Sequence, residues 1–202
     1  MIQSANPTPP LVIVGAGDHG TVVADTAQVA GRQVLGHLDD DPSIPNLLAP
    51  DDPRLADAQF IVAIGDNATR LAILKRLRAE GRTFTNVIHP SAVISPGATL
   101  GESVYVGPLA VVNTHATLGD AVIINSGAVV EHHCTVGPAV HLAPKAALAG
   151  RVTVHERTLV GVGAKILPGV TLGQHCIVGA GAVAVTDIPD HTTAIGIPAR
   201  PC

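Results

Sequence analysis

The chain has 202 residues, a formal net charge of −4, and 47% hydrophobic against 14% charged residues. A chain of this length makes one large domain or two small ones, carries too few charges to stay disordered, and has no basic run with which to hold nucleic acid. Aromatic residues are 1% of the total, so the core must be filled by Val, Ile, Leu and Ala, which suits a regular stack of small layers.

Residues 1–10 lack the basic start and apolar stretch of a signal peptide and are read as a loose arm. The longest apolar runs fall far short of a membrane span, so the protein is predicted to be cytoplasmic. Leu11 to Val14 reads as a buried strand. Gly15-Ala16-Gly17-Asp18-His19-Gly20 follows and opens a helix that runs to about Ala30. Gln33 to Leu38 is a second strand ending in Asp39-Asp40-Asp41, and Asp51 to Pro53 is a loop. Phe60 to Ile64 is a third strand, closed by Gly65-Asp66-Asn67, and a helix from about Ala68 to Glu80 stops at Gly81. Thr83 to Ile88 leads out of this unit. Strand and helix alternate, so residues 11–86 are predicted to be a small Rossmann-like βαβ domain with a parallel sheet.

The glycine pattern fits G-x-G-x-x-G between strand and helix, with an Asp pair about twenty residues later where a ribose-binding carboxylate belongs. Taken alone this fits a nicotinamide dehydrogenase. The unit is too short for a full dinucleotide fold, and a nucleotide-sugar pocket suits it better. The three loops Gly17 to His19, Asp39-Asp40 and Gly65 to Asn67 all fall at carboxyl ends of parallel strands, where ligands bind in such sheets.

From Ile88 onward an aliphatic residue recurs every six positions without a gap, through Ile94, Leu100 and Val106 to Leu172 and Val178. Six is even, so strand alternation keeps the repeated residue on one face, whereas a helix would carry it around its circumference. Two positions earlier stands a small residue such as Ala110, Ala128, Cys134 or Ala164, and Gly often follows, as at Gly119 and Gly161. Short strands separated by sharp turns make a three-sided prism, one coil per eighteen residues, with coils about 4.8 Å apart. Residues 87–202 are predicted to form this all-β parallel β-helix with a C-terminal extension. Cys134 and Cys176 are read as small core residues.

The eighteen-residue coil also aligns columns. Thr114, His132 and Gly150 share one, so Gly150 leaves space beside His132. Ala143, Gly161 and Gly179 share a second, and Gly163 lies below Gly181 in a third. Bare columns of this kind let an extended ligand chain lie close to backbone. His115 and His133 stack one coil apart. A zinc site built from His132, His133 and His141 is conceivable, but it would leave the nucleotide-type unit without a task, and no metal is assigned. His155, His175 and His191 are read as surface residues.

GAGDHG, LDD, AIGDN, IHPSA, IINSGAVVEHH, LVGVGAKILPGVTLG and AIGIPAR occur in the order shown by bacterial sugar acyltransferases related to the sialic-acid O-acetyltransferase NeuD, and the chain after Pro10 resembles that family throughout. It looks closest to the N-acetyltransferases of the bacillosamine and perosamine pathways. The resemblance implies a left-handed β-helix, a homotrimer, acetyl-CoA as co-substrate in the groove between neighbouring prisms, and a nucleotide-activated amino sugar as acceptor. It places the general base at His132, with His133 standing where the family often has a carboxylate. It implies acetyl-CoA contacts at His141, Val162 and Ala180, to which the column reading adds Gly150. Nucleotide-sugar contacts fall on Gly17, Asp18, His19, Asp39, Asp40 and Gly65. The expected activity is N-acetylation, with a 4-amino-4,6-dideoxy hexose foremost. O-acetylation of a sialic-acid-like sugar and a non-catalytic trimeric scaffold are the alternatives.

Overall fold

The computed structural model describes residues 8–202; of the arm read over residues 1–10, residues 1–7 lie outside the described residues. Four strands, Leu11–Val14 (β1), Val34–Leu38 (β2), Gln59–Val62 (β3) and Thr83–Phe84 (β4), form a parallel sheet in the order β2-β1-β3-β4. Parallel neighbours need crossovers. Helix α1, Asp18–Val29, links β1 to β2, and helix α2, Asn67–Ala79, links β3 to β4. The segment expected as plain loop near Pro53 winds into a 3-10 turn, Pro53–Asp57, because the Asp52 side chain accepts the Arg54 N–H at 2.9 Å and caps it.

The sheet is apolar on both faces, as a covered parallel sheet must be. Leu11, Ile13, Ile61 and Ala63 pack with Val23, Ala24 and Ala27 of α1, while Val12, Val14, Phe60 and Val62 pack with Leu71, Leu74 and Leu77 of α2. Strand β3 ends two residues short of the expected Ile64. The chain turns away there because the carbonyls of Ile64 and Gly65 accept hydrogen bonds from Arg70.

Two-residue strands then recur every six residues, from Val87–Ile88 (β5) to Val183–Ala184 (β21). Each pairs in parallel with the strand one coil away; Ile124 lies between Val106 and Leu142. Three sheets result, the walls of a prism with eight, six and five strands; Thr193–Ile195 (β22) and Arg200–Pro201 (β23) complete the eight-stranded one. The repeated aliphatic residue is the second of each strand and points inward. From Val106 to Val178 none is more than 2% exposed. The small residues, Ala110, Ala128, Cys134, Ala164 and Cys176 among them, are buried inside the corners.

The corners turn by a left-handed backbone. Ser103, Ala121, Ala139, Arg157 and His175 form one column at φ between 51° and 58°, and His115, His133 and Arg151 form another at 58° to 64°. Such angles cost non-glycine residues about 1–2 kcal/mol each. Beyond Ser103 they persist because the corner N–H donates to a carbonyl of the preceding coil, as from Ala121 to Glu102 and from His133 to Thr114. The glycines after the strands serve the stacking: a Cβ on Gly161 would stand 2.6–2.8 Å from the backbone of residues 178–180.

The three walls differ outside. On the eight-stranded wall Val87, Tyr105 and Ile123 are buried beneath the N-terminal unit, and Ile177 at the far end is 46% exposed. The six-stranded wall presents Val93, Val111, Val129 and Val183. The five-stranded wall presents a ladder of Thr99, Thr117, Thr135, Thr153 and Thr171. No helix among the described residues is long and apolar enough to cross a membrane.

Candidate active site

The turn after β1 is the tightest backbone in the N-terminal unit. Gly15 takes φ +112°, and a Cβ there would lie 2.7 Å from the Ala63 carbonyl oxygen, so the first loop rests directly on the third. Gly17 caps α1 without a side-chain bond, so the first-turn N–H groups of that helix have no side-chain acceptor from the cap. Asp39 ties the second loop to the first: its Oδ2 accepts the Ala16 N–H at 2.8 Å and its Oδ1 accepts the Asp41 N–H at 3.0 Å. Asp39 and Asp40 line a cavity of about 450 Å³ on the α2 side of the strand ends, with Gly15, Ile64, Ile73 and Arg76. Gly65 lines a second cleft, of about 350 Å³, where the loop after β3 faces His141, Arg157 and His175 of the β-helix.

His19 stands apart from both Asp residues. Its ring meets Tyr105 edge-on with centroids 5.2 Å apart and lies 6.4 Å from the ring of His141, on the eight-stranded wall. His19 Nε2 is buried without a hydrogen-bond partner among the described residues, and His141 Nε2 lies 3.4 Å from the Asn125 side-chain nitrogen. Burial first, and the nearby Arg70 charge second, push His19 down to about 4; the same two causes, with His19 added, push His141 down to about 4. Both rings are therefore neutral near pH 7, each with one donor and one acceptor nitrogen.

His132 occupies a different corner, between the six-stranded and five-stranded walls. Its ring lies against Gly150, where a Cβ would fall 2.6 Å from Cε1 and 2.7 Å from Nε2. The space that Gly150 leaves is thus taken by the imidazole itself. His132 Nδ1 is 3.1 Å from His133 Nδ1, and the His133 ring lies tilted by 42° against His115 with centroids 4.9 Å apart. Glu131 Oε2 accepts from the His132 backbone N–H at 3.3 Å and from Asn113 Nδ2 at 3.1 Å, bracing the turn. Loss of hydration, with Arg151, His115 and His132 adding positive charge, lowers the proton affinity of His133.

The predicted site residues fall into separate groups. His19 and Gly65 meet His141 at the joint between the two units; Asp39 and Asp40 meet at the strand ends; His132, His133 and Gly150 share a corner. Val162 and Ala180 lie at the corner between the eight-stranded and six-stranded walls, away from Gly150. Of the two glycine columns expected to be bare, Gly163 and Gly181 do have open space around them, but Gly161 and Gly179 are packed against the neighbouring coil and Ile195. Sequence reasoning passed over Arg70, Tyr105, Asn125 and Glu131. Arg70 left a trace, since it falls with Leu74 and Leu77 on the apolar stripe of α2. Among the described residues no cluster of three or more His, Cys, Asp or Glu is arranged to hold a metal ion.

A small parallel α/β sheet docked on a hexapeptide β-helix, with exposed imidazoles at one corner and neutral ones at the joint, defines a hexapeptide-repeat acyltransferase with an N-terminal α/β unit. Residues 10–77 match the PglD N-terminal domain, and residues 151–184 match the bacterial transferase hexapeptide (six repeats). PerB from Caulobacter crescentus, solved with CoA and GDP-perosamine, is 42% identical over 98% of this chain and 100% of its own, with a TM-score of 0.90. The acetyltransferase domain of PglB from Neisseria gonorrhoeae is 33% identical over 96% of this chain and 100% of its own, with a TM-score of 0.88. UDP-N-acetylbacillosamine N-acetyltransferase of Bacillus subtilis is 35% identical over 108 residues, a match spanning 48% of this chain and 50% of that curated relative. The chain belongs to the hexapeptide-repeat sugar acyltransferase family, in the branch of the perosamine and bacillosamine N-acetyltransferases.

Proposed function

We propose that the protein transfers the acetyl group of acetyl-CoA to the amine of a nucleotide-linked amino sugar, a 4-amino-4,6-dideoxy hexose. The observation that carries this reading is the full-length likeness to PerB, a protein solved with both CoA and GDP-perosamine. The neutral amine attacks the thioester carbonyl, a C–N bond forms, the C–S bond breaks, and CoA leaves as the thiol. His132 takes the amine proton as general base and returns it to the sulfur. For His132 to offer Nε2, its Nδ1 must carry the proton and donate it to His133 Nδ1 across the 3.1 Å contact. The lowered proton affinity of His133 keeps that lone pair free, so a neutral imidazole here does the tautomer-setting work of a carboxylate.

The base and the acceptor loops stand on different sides of one prism, so one copy does not bring them together. A homotrimer would set the His132 corner of one copy against the His19–His141 joint of the next, with acetyl-CoA along the groove between them by way of Gly150 on one side and Val162 and Ala180 on the other. The valine column of the six-stranded wall supports such an assembly. Acetyl-CoA and nucleotide sugars are cytoplasmic compounds, and the reaction is assigned to that compartment.

The test is release of CoA thiol from acetyl-CoA in the presence of GDP-perosamine and of UDP- and dTDP-linked 4-amino sugars. Turnover with at least one is expected. Thiol release no faster than the acceptor-free blank across the whole panel would reject the reading.

A further inference from the structure

Arg70 is fully buried in the first turn of α2 and bonds to both units at once. Nε donates to the Ala121 carbonyl at 2.8 Å and Nη2 to the Ala139 carbonyl at 2.9 Å, two consecutive left-handed corners of the β-helix. Nη1 donates to the carbonyls of Ile64 at 2.8 Å and Gly65 at 3.1 Å, and Nη2 also donates to Asn67 Oδ1 at 2.8 Å. Every N–H direction of the guanidinium is occupied, four of the five acceptors are backbone carbonyls, and none is a carboxylate. Burying a cation without a bonded anion costs several kcal/mol unless its donors are satisfied. Burial lowers the group to about 10, and it stays charged.

We propose that Arg70 is the positioning residue of the acceptor site: its guanidinium clamps the loop after β3 to two corners of the β-helix and so fixes Gly65 and His19 relative to His141. The linkage is continuous. Arg70 holds Ile64 and Gly65, the first loop rests on Ala63 and Ile64 through Gly15, and His19 stands in the first turn of α1, which that loop leads into. Arg70 makes no contact with the open faces of His19 and His141, so it acts through them. The charged groups around those two rings are Arg70 and the α2 cap Asp66 on one side of the cleft and Arg157, paired with Glu156, on the other; the Arg70 charge adds to burial in disfavouring an imidazolium beside it.

This inference rests on the acceptor-site reading above, and its test separates the two. Arg70→Lys, Arg70→Met and Asn67→Ala are compared in the full chain. Arg70→Lys and Asn67→Ala should raise the KM for GDP-perosamine about 10-fold or more while changing the KM for acetyl-CoA less than about 2-fold. Amides of residues 63–67 should exchange faster in all three. In Arg70→Met the imidazole titrations of His19 and His141, followed by NMR, should move part of the way up from about 4, since burial is the larger cause; in Arg70→Lys they should stay. A merely structural Arg70 would lower the melting temperature and leave both KM values alone; the titrations move in Arg70→Met in either case, because a cation has been removed. Wild-type KM for GDP-perosamine in Arg70→Lys, or an equal rise for both substrates, overturns the proposal. If Arg70→Met does not fold, the other two variants decide. If the wild type acetylates no sugar, the functional reading falls by itself, and the exchange data for residues 63–67 still judge the clamp.

Discussion

Gly150→Ala isolates the placement of the proposed base. Gly150 has an ordinary backbone conformation, so alanine adds one methyl group without backbone strain. That methyl would lie 2.6 Å from His132 Cε1 and 2.7 Å from Nε2, whereas ordinary contact begins at 3.4 Å, so the ring must retreat by at least about 0.8 Å. His132 is exposed and can swing outward, so stability should change by less than about 0.5 kcal/mol. A displacement near 1 Å costs about 10²-fold when a reacting geometry is lost, or roughly 2.7 kcal/mol in the barrier. The assay is steady-state kinetics with acetyl-CoA and the best acceptor. The expected result is a fall of about 10- to 100-fold in kcat with both KM values within about 2-fold of wild type. A raised KM for acetyl-CoA at unchanged kcat would mean that pantetheine, and not the imidazole, uses the space over Gly150. Unchanged kinetics would refute the placement of the base at this corner.

His132→Asn should keep fold and assembly by sedimentation, since no inward residue changes, and lower kcat by about 10²–10⁴-fold. Asp39→Ala removes the acceptor for the Ala16 and Asp41 N–H groups, so it should weaken GDP-perosamine binding by calorimetry and leave acetyl-CoA binding intact; equal loss of both would merge sites that stand apart in the structure. His19 and His141 have folded values depressed to about 4 from 6.5, so the unfolded chain binds more protons between those values. Their contribution is present above pH 6.5 and is lost as pH falls toward 4, and the melting temperature followed by circular dichroism should drop through that window. His141→Gln should flatten the drop, and an equally steep fall in that variant would move the cause to other groups.

The prism was readable because its signal is local and repeated: an inward aliphatic residue every six positions needs nothing beyond strand alternation. Leu11–Val14 was readable because four consecutive apolar residues beside a glycine turn leave few other roles. The left-handed corners at Ala121, His133 and Arg151 were not, since their usual markers, Gly and Asn, are missing and the compensating bonds come from a coil eighteen residues away. The separation of His132 from His141 could have been found by arithmetic. Nine residues is half of an eighteen-residue coil, which puts His132 at a corner and His141 on the wall opposite it. Arg70 could have been singled out as a cation on an apolar stripe, but its acceptors are backbone carbonyls that carry no mark in the sequence.

Those acceptors have a consequence for how the two units combine. Apart from Asn67, Arg70 reads only main-chain oxygens, and on the β-helix it asks for two successive left-handed corners whose side chains are small enough to vanish beneath α2, as Ala121 and Ala139 do. The joint also reads side chains of the coils it covers: the Tyr105 hydroxyl bonds Thr26, the Ser103 hydroxyl accepts the Val62 N–H, and Arg78 pairs with Glu102 and Asp120. The coils beneath the N-terminal unit are therefore held to their composition, whereas the far coils can change without loosening the joint, and the N-terminal unit could be grafted only onto a prism that carries these side chains as well as two alanine corners in register.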